Sequence, residues 1–241
     1  MRFQVYAALG DSMSIDRYPD LDYADRQRMP VPATGLGAAS LLARNDDVVW
    51  PEFAGRDLVA RHPGIDCRFL AEDGATTESV IASQLGELET LDPDAETLVT
   101  LTAGGNDLLG LIGASAGDGD DRLRHILENL EAIVAAIERR LRKATLLVAN
   151  VYDPTDGTGD LEGTRLGSRE MRWLADYNAG VARLGESGRG RLIDLHRHFA
   201  GHGRSAPPPQ RWYWTESLIE PGLTGASEIR RLWLAALDER P

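Results

Sequence analysis

The chain has 241 residues, 42% of them hydrophobic and 27% charged, and no internal break divides it, so residues 1–241 are expected to form a single domain around one core. A net charge of −12 argues against nucleic acid as a partner. The basic run Arg139, Arg140, Arg142 and Lys143 closes a predicted helix, where cations suit the helix dipole. The one cysteine, Cys67, excludes an internal disulfide framework, and with no leader-like or membrane-length apolar run in view a cytoplasmic location is the expectation.

The first predicted strand is Phe3–Leu9. It is followed by a polar loop, Asp16–Thr34, containing Pro19, Pro30 and Pro32, and by a helix over Gly37–Arg44. A strand at Asp66–Leu70 leads to a helix at Thr77–Leu88, and a strand at Thr97–Thr102 to a helix at Asp121–Arg142. Next come a strand at Ala144–Val151, a Gly/Asp-rich loop at Asp153–Gly167, a helix at Ser168–Ser187 and a strand at Arg191–Leu195. A loop with three successive prolines, Gly201–Trp214, precedes a last amphipathic helix from Thr224 to Leu237. This alternation predicts an α/β fold: three layers, α/β/α, with a five-stranded parallel sheet in a flavodoxin-like arrangement. The three long loops leave carboxyl ends of strands, the edge where open α/β sheets bind ligands.

Three clusters stand at that edge. In Gly10-Asp11-Ser12 a serine follows a tight turn just past strand one. An ordinary turn would use the same residue types. In Gly104-Gly105-Asn106-Asp107, two glycines present an asparagine amide after strand three, either as a neutral donor for a developing oxyanion or as a helix cap. In Glu72-Asp73-Gly74-Ala75-Thr76-Thr77, after strand two, Gly74 offers an unobstructed backbone N–H and a threonine is placed to cap the next helix.

The order and content of these blocks resemble the SGNH/GDSL hydrolase family. The resemblance implies an esterase that needs no cofactor. Ser12 would be the nucleophile, and the Ser12 N–H, Gly74 N–H and Asn106 side chain would form the oxyanion hole. The substrate would be a small ester or acylated molecule. Asp11 and Asp107, the acidic members of the two letter-perfect blocks, are candidate substrate contacts. Trp212 and Trp214 are also candidates, as walls of an acyl or sugar pocket; the alternative is that these rings pin their loop against the C-terminal helix.

The resemblance breaks at the last block. Where the family carries Asp-x-x-His-Pro, this chain reads Ser217-Leu218-Ile219-Glu220-Pro221. A serine hydroxyl needs a proton acceptor, and three repairs are open. His202, in a glycine-flanked loop at the ligand edge, is the favoured base, with Glu220 orienting it. Glu220 is itself a base if burial raises its pKa. Failing both, the chain is a degenerate binding protein that keeps the cleft. A metal site built from Asp194, His196, His198 and His202 lacks a second ligand cluster, so no metal is expected.

Overall fold

The strands of the computed structural model, which describes residues 2–27, 35–161, 163–217 and 219–239, are in chain order β1 (Val5–Gly10), β2 (Asp66–Phe69), β3 (Thr97–Thr102), β4 (Ala144–Ala149), β5 (Asp160–Leu161), β6 (Thr164–Arg165) and β7 (Arg191–Ile193). β1 and β3 are buried at every position, as strands covered on both faces must be. Five strands form one parallel sheet in the order β2-β1-β3-β4-β7, while β5 and β6 make a small antiparallel hairpin. The expected three-layer α/β arrangement is therefore present.

Helices Ala116–Arg140 and Ser168–Glu186 pack together with the helical segment 77–90. Leu223–Asp238 packs on Arg17–Gln27 and Ala38–Ala43. Apolar periodicity explains these contacts: Leu123, Ile126, Leu130, Ile133 and Ile137 recur on one stripe of their helix and are buried.

Differences from the expected boundaries have local causes. Ala116–Arg140 starts before Asp121 because the Ser115 side chain caps the Asp118 N–H, and because Gly119 lets the helix touch Trp173, whose ring would lie 2.0 Å from a Cβ there. The stretch Asp16–Thr34 is not simply a loop, since it contains helix Arg17–Gln27. That helix buries only Pro19 and Asp22, so no apolar period announces it, and Pro19 sits in its first turn, where a missing N–H costs nothing. Pro30 and Pro32 lie outside the described residues.

β1 pairs with β2 on one side and β3 on the other, so the order reverses at β1. In such sheets the crevice at the carboxyl ends of the central strands is the natural ligand position. Ser12 follows β1 by two residues and Asn106 follows β3 by four.

Candidate active site

Gly10 turns the chain from β1 into Ser12. Its φ is +123°, and a Cβ there would sit 1.7 Å from the Thr102 carbonyl oxygen, so no other residue fits. The turn is then tied down. Gly10 N–H donates to Gln84 Oε1 (2.7 Å) and Gln84 Nε2 donates to Gly10 O (2.8 Å). Asp11 N–H donates to Thr102 Oγ1 (3.3 Å), and Met13 N–H to Asp11 Oδ1 (3.1 Å). Ser12 itself is 7% exposed.

Asn106 follows Gly104, whose φ of +96° and contact with the Tyr177 ring exclude a side chain. Asn106 Nδ2 donates to Ala75 O at 2.9 Å, which joins the block after β3 to the block after β2 and leaves the second amide proton for a ligand. Gly74 is exposed at φ +74° with open space around it, and Thr76 caps the helix that follows.

Glu220 reaches the same place from the far end of the chain. Tyr213 bridges Pro221, Trp214 N–H donates to Glu220 O (3.0 Å) and Gly222 N–H donates to Trp212 O (2.8 Å), so 212–214 and 220–222 run as a short antiparallel pair. Ser217 Oγ accepts from Glu220 N–H (3.3 Å), Tyr152 Oη donates to Ile219 O (2.8 Å), and buried Asp22 accepts from Leu223 N–H (2.7 Å).

Glu220 is 8% exposed. Burial raises its pKa to about 7, with the charge of Asp73 adding to the rise and a hydrogen bond from Ser12 and the nearby Arg17 opposing it. Its Oε2 is buried without a well-formed hydrogen bond. Burial also lifts the fully enclosed Asp11 to about 8, against hydrogen bonds from Met13 and Thr102, with Glu220 and Asp107 repelling its charge. A buried carboxylate with an unpartnered oxygen, sharing a cleft with a serine, has the marks of a functional group.

A pocket of about 730 Å³, its open mouth included, is lined by Ser12, Glu220, Asp11 and Asn106 on one side. The remaining wall is mostly apolar, with Leu108 and Ile112 after β3, Val151 after β4, Leu161 and Leu166 of the hairpin region, and Leu174 of helix Ser168–Glu186. Its mostly apolar lining with a few convergent polar groups suits an acyl ligand.

Several expected residues are not in this group. His202 stacks on Trp212 (ring centroids 3.7 Å apart, planes 6° apart), its Nδ1 meets Gln210 O at 2.8 Å, and it does not line the pocket. The structure thus does not bring His202 to Ser12 or to Glu220. Trp212 and Trp214 are not pocket walls: Trp212 packs edge-on to Phe199, and Trp214 Nε1 donates to Asp25 Oδ2. Asp107 is also outside the pocket, both its oxygens accepting from Thr77. Gly74 belongs to the neighbouring loop rather than the pocket wall. His196 and His198 lie on a short helix, Leu195–Phe199, and not on alternating strand positions; His198 pairs with Glu228.

Sequence reasoning missed Gln84, Thr102, Tyr152 and Asp22. Gln84 had a legible signal, since Val80, Gln84 and Leu88 share helical spacing and a polar residue there falls on the buried stripe. The other three act through contacts distant in sequence.

The fold has close counterparts among solved structures. An extracellular lipase from Streptomyces rimosus superposes with TM-score 0.63 at 21% identity, covering 98% of this chain and 100% of that one. A phospholipase A1 from Streptomyces albidoflavus gives 0.60 at 20%, covering 98% and 100%. A catalytic mutant of an acetylxylan esterase from Geobacillus stearothermophilus gives 0.63 at 13%, covering 100% and 97%. No curated protein matches at the sequence level. The pattern of the GDSL-like lipase/acylhydrolase family matches residues 8–213, ending before Glu220. A match over so much of the chain places it in that family: the protein is a member of the GDSL-like lipase/acylhydrolases, enzymes acting on ester bonds.

Proposed function

We propose that the protein hydrolyses esters of apolar acyl groups through a Ser12–Glu220 pair, with the chain acting as one catalytic domain. The observation that carries this reading is the buried Glu220 carboxylate, which lines the same apolar pocket as Ser12 and has one oxygen without a hydrogen-bond partner. A glutamate of ordinary pKa is too weak to activate a serine. At about 7, Glu220 is as basic as a free imidazole, whose pKa is about 6.5.

The reaction then runs as two acyl transfers. Ser12 Oγ attacks the ester carbonyl carbon while its proton passes to Glu220. The carbonyl oxygen, now anionic, accepts from the Ser12 N–H, the Gly74 N–H and the free amide proton of Asn106. The tetrahedral adduct collapses, the C–O bond to the alcohol breaks, and Glu220 returns its proton to the departing oxygen. Water, deprotonated by Glu220, cleaves the acyl-serine and restores both groups. The site charge stays at one negative unit throughout, moving from carboxylate to oxyanion and back.

The test is turnover of a nitrophenyl octanoate by wild type and by Ser12→Ala, Glu220→Gln and His202→Ala. Loss of at least about a hundredfold in the first two, with His202→Ala within about twofold of wild type, is the expected result. A Ser12→Ala rate equal to wild type ends the assignment of Ser12 as nucleophile, and no turnover in wild type reduces the cleft to a binding site. A His202→Ala loss as large as that of Glu220→Gln restores the histidine route.

A further inference from the structure

An ester has two arms, and the pocket accounts for one. If the acyl chain lies among Leu108, Val151 and Leu174, the alcohol needs its own place beside Ser12 and Glu220. Next to Glu220, four side chains from three distant segments meet, none of them in the pocket wall. Tyr18 and Trp214 bring their rings to 5.9 Å with planes 40° apart. Each ring is anchored: Tyr18 Oη donates to Asp73 (3.0 Å to Oδ1), and Trp214 Nε1 donates to Asp25 (3.0 Å). Arg17 Nη1 joins the same Asp73 carboxylate at 2.6 Å, with the arginine side chain 63% exposed and the aspartate 35%. The group borders the reacting pair: Trp214 N–H holds Glu220 O at 3.0 Å, Asp73 adjoins Gly74, and Ser12 lies in the same segment as Arg17 and Tyr18.

We propose that this group is the subsite for the alcohol portion of the ester and that it takes a neutral polyhydroxylated alcohol of the sugar or glycerol type. The proposal rests on the Ser12–Glu220 reading for its orientation. Aromatic faces pack against the C–H faces of such a group, while a carboxylate beside a guanidinium offers an acceptor and a donor to neighbouring hydroxyls. A phosphorylated alcohol is disfavoured. Arg17, the one cation of the group, is already paired with Asp73, and Asp25 and Glu220 surround the rings with further negative charge. A plain alkyl alcohol would leave the charged edge unused.

The experiment holds the acyl group constant and varies the alcohol: ethyl octanoate, methyl 6-O-octanoyl-glucoside and octanoyl lysophosphatidylglycerol. The expected result is a kcat/KM for the glucoside about tenfold above the ethyl ester and above the phosphate ester, with Trp214→Ala lowering the glucoside-to-ethyl ratio about five- to tenfold and Trp214→Phe restoring most of it. Equal rates for glucoside and ethyl ester, preference for the phosphate ester, or a ratio unmoved in Trp214→Ala overturns the proposal. A second measurement separates this from the chemistry: quenching of tryptophan fluorescence by methyl glucoside, in wild type and in Ser12→Ala. Saturable quenching in Ser12→Ala that is lost in Ser12→Ala with Tyr18→Ala supports the subsite even where the serine reading fails. Absence of quenching in both proteins counts against it even where the serine reading holds.

Discussion

Gln84 holds Gly10 from both sides of the residue, accepting from its N–H at 2.7 Å and donating to its carbonyl at 2.8 Å. Gly10 is the last residue of β1, and its left-handed conformation aims Asp11 and Ser12 into the crevice. Gln84 closes a π-helical turn at Val80–Gln84, a widening that recurs at functional sites and here carries the amide into the turn. Gln84→Leu removes both bonds. The carbonyl keeps the N–H of Glu72 at 3.0 Å, but the Gly10 N–H is left buried and unpaired. The expected cost is about 1–3 kcal/mol of stability, read as a lower urea midpoint at unchanged slope, together with a fall in kcat exceeding the change in KM. A variant as stable and active as wild type removes the role assigned to the bracket.

The pH dependence follows from the sign of the Glu220 shift. As the proposed base, the carboxylate must be ionised to take the Ser12 proton, and its pKa is raised to about 7. Below that value the base is protonated and activity is lost; kcat/KM is therefore expected to rise with pH and level off above about 8. Replacing the base tests the assignment. Glu220→His combined with Ser217→Asp, which restores the family's last block, is expected to retain more activity than Glu220→Gln. Its rising limb should lie near the imidazole range of about 6.5. A wild-type profile flat from pH 5 to 9 is the result against Glu220 as base.

The same shift has a cost in stability. A carboxyl whose folded pKa exceeds its unfolded value of 4.5 binds more protons folded than unfolded between the two, so its favourable contribution is complete below about 4.5 and is lost as pH rises through about 7. Glu220→Gln keeps the shape and cannot ionise. It is expected to match wild type near pH 4.5 and to exceed it by about 1–3 kcal/mol at pH 8, a Tm difference of several degrees by calorimetry. A mutant less stable than wild type at pH 8 would mean that the ionised form is held by partners beyond Ser12.

The sheet was legible in the sequence because its strands are short apolar runs bounded by turn residues, and β3 was read to the residue. The positions of Ser12 and Asn106 at the ends of β1 and β3 were legible for a related reason: each comes two residues after a glycine that the backbone needs there. Which residue stands in the pocket beside Ser12 was not legible. Whether Glu220 or His202 joins Ser12 depends on how 212–214 pair with 220–222, and that is set by the Tyr213–Pro221 bridge, the Tyr152 hydroxyl and the Asp22 carboxylate. Asp22 lies on a helix with almost no apolar face, and its partner Leu223 is 201 positions away. His202 was drawn away from the site by a contact no pattern reveals, the flat stack of its ring on Trp212.

Acyl-chain selectivity is expected to reside in the wall contributed by helix Ser168–Glu186. Leu174 lines the pocket from that helix, while Ser12 and Glu220 come from loops at the sheet edge, so a change at Leu174 alters the room for the chain without touching the reacting groups. The apolar lining of the pocket favours an acyl chain, each buried methylene of which contributes about 0.8 kcal/mol. Leu174→Trp puts an indole into that space. It is expected to lower kcat/KM for an octanoyl ester at least about tenfold while an acetyl ester changes less than about threefold, since only the longer chain loses buried contacts. Overpacking is expected to cost about 1–3 kcal/mol, so a Tm measured alongside separates a misfolded variant from a selective one. Equal losses for both esters in a protein of undiminished Tm would place the acyl chain elsewhere and leave the apolar wall without a part in the reaction.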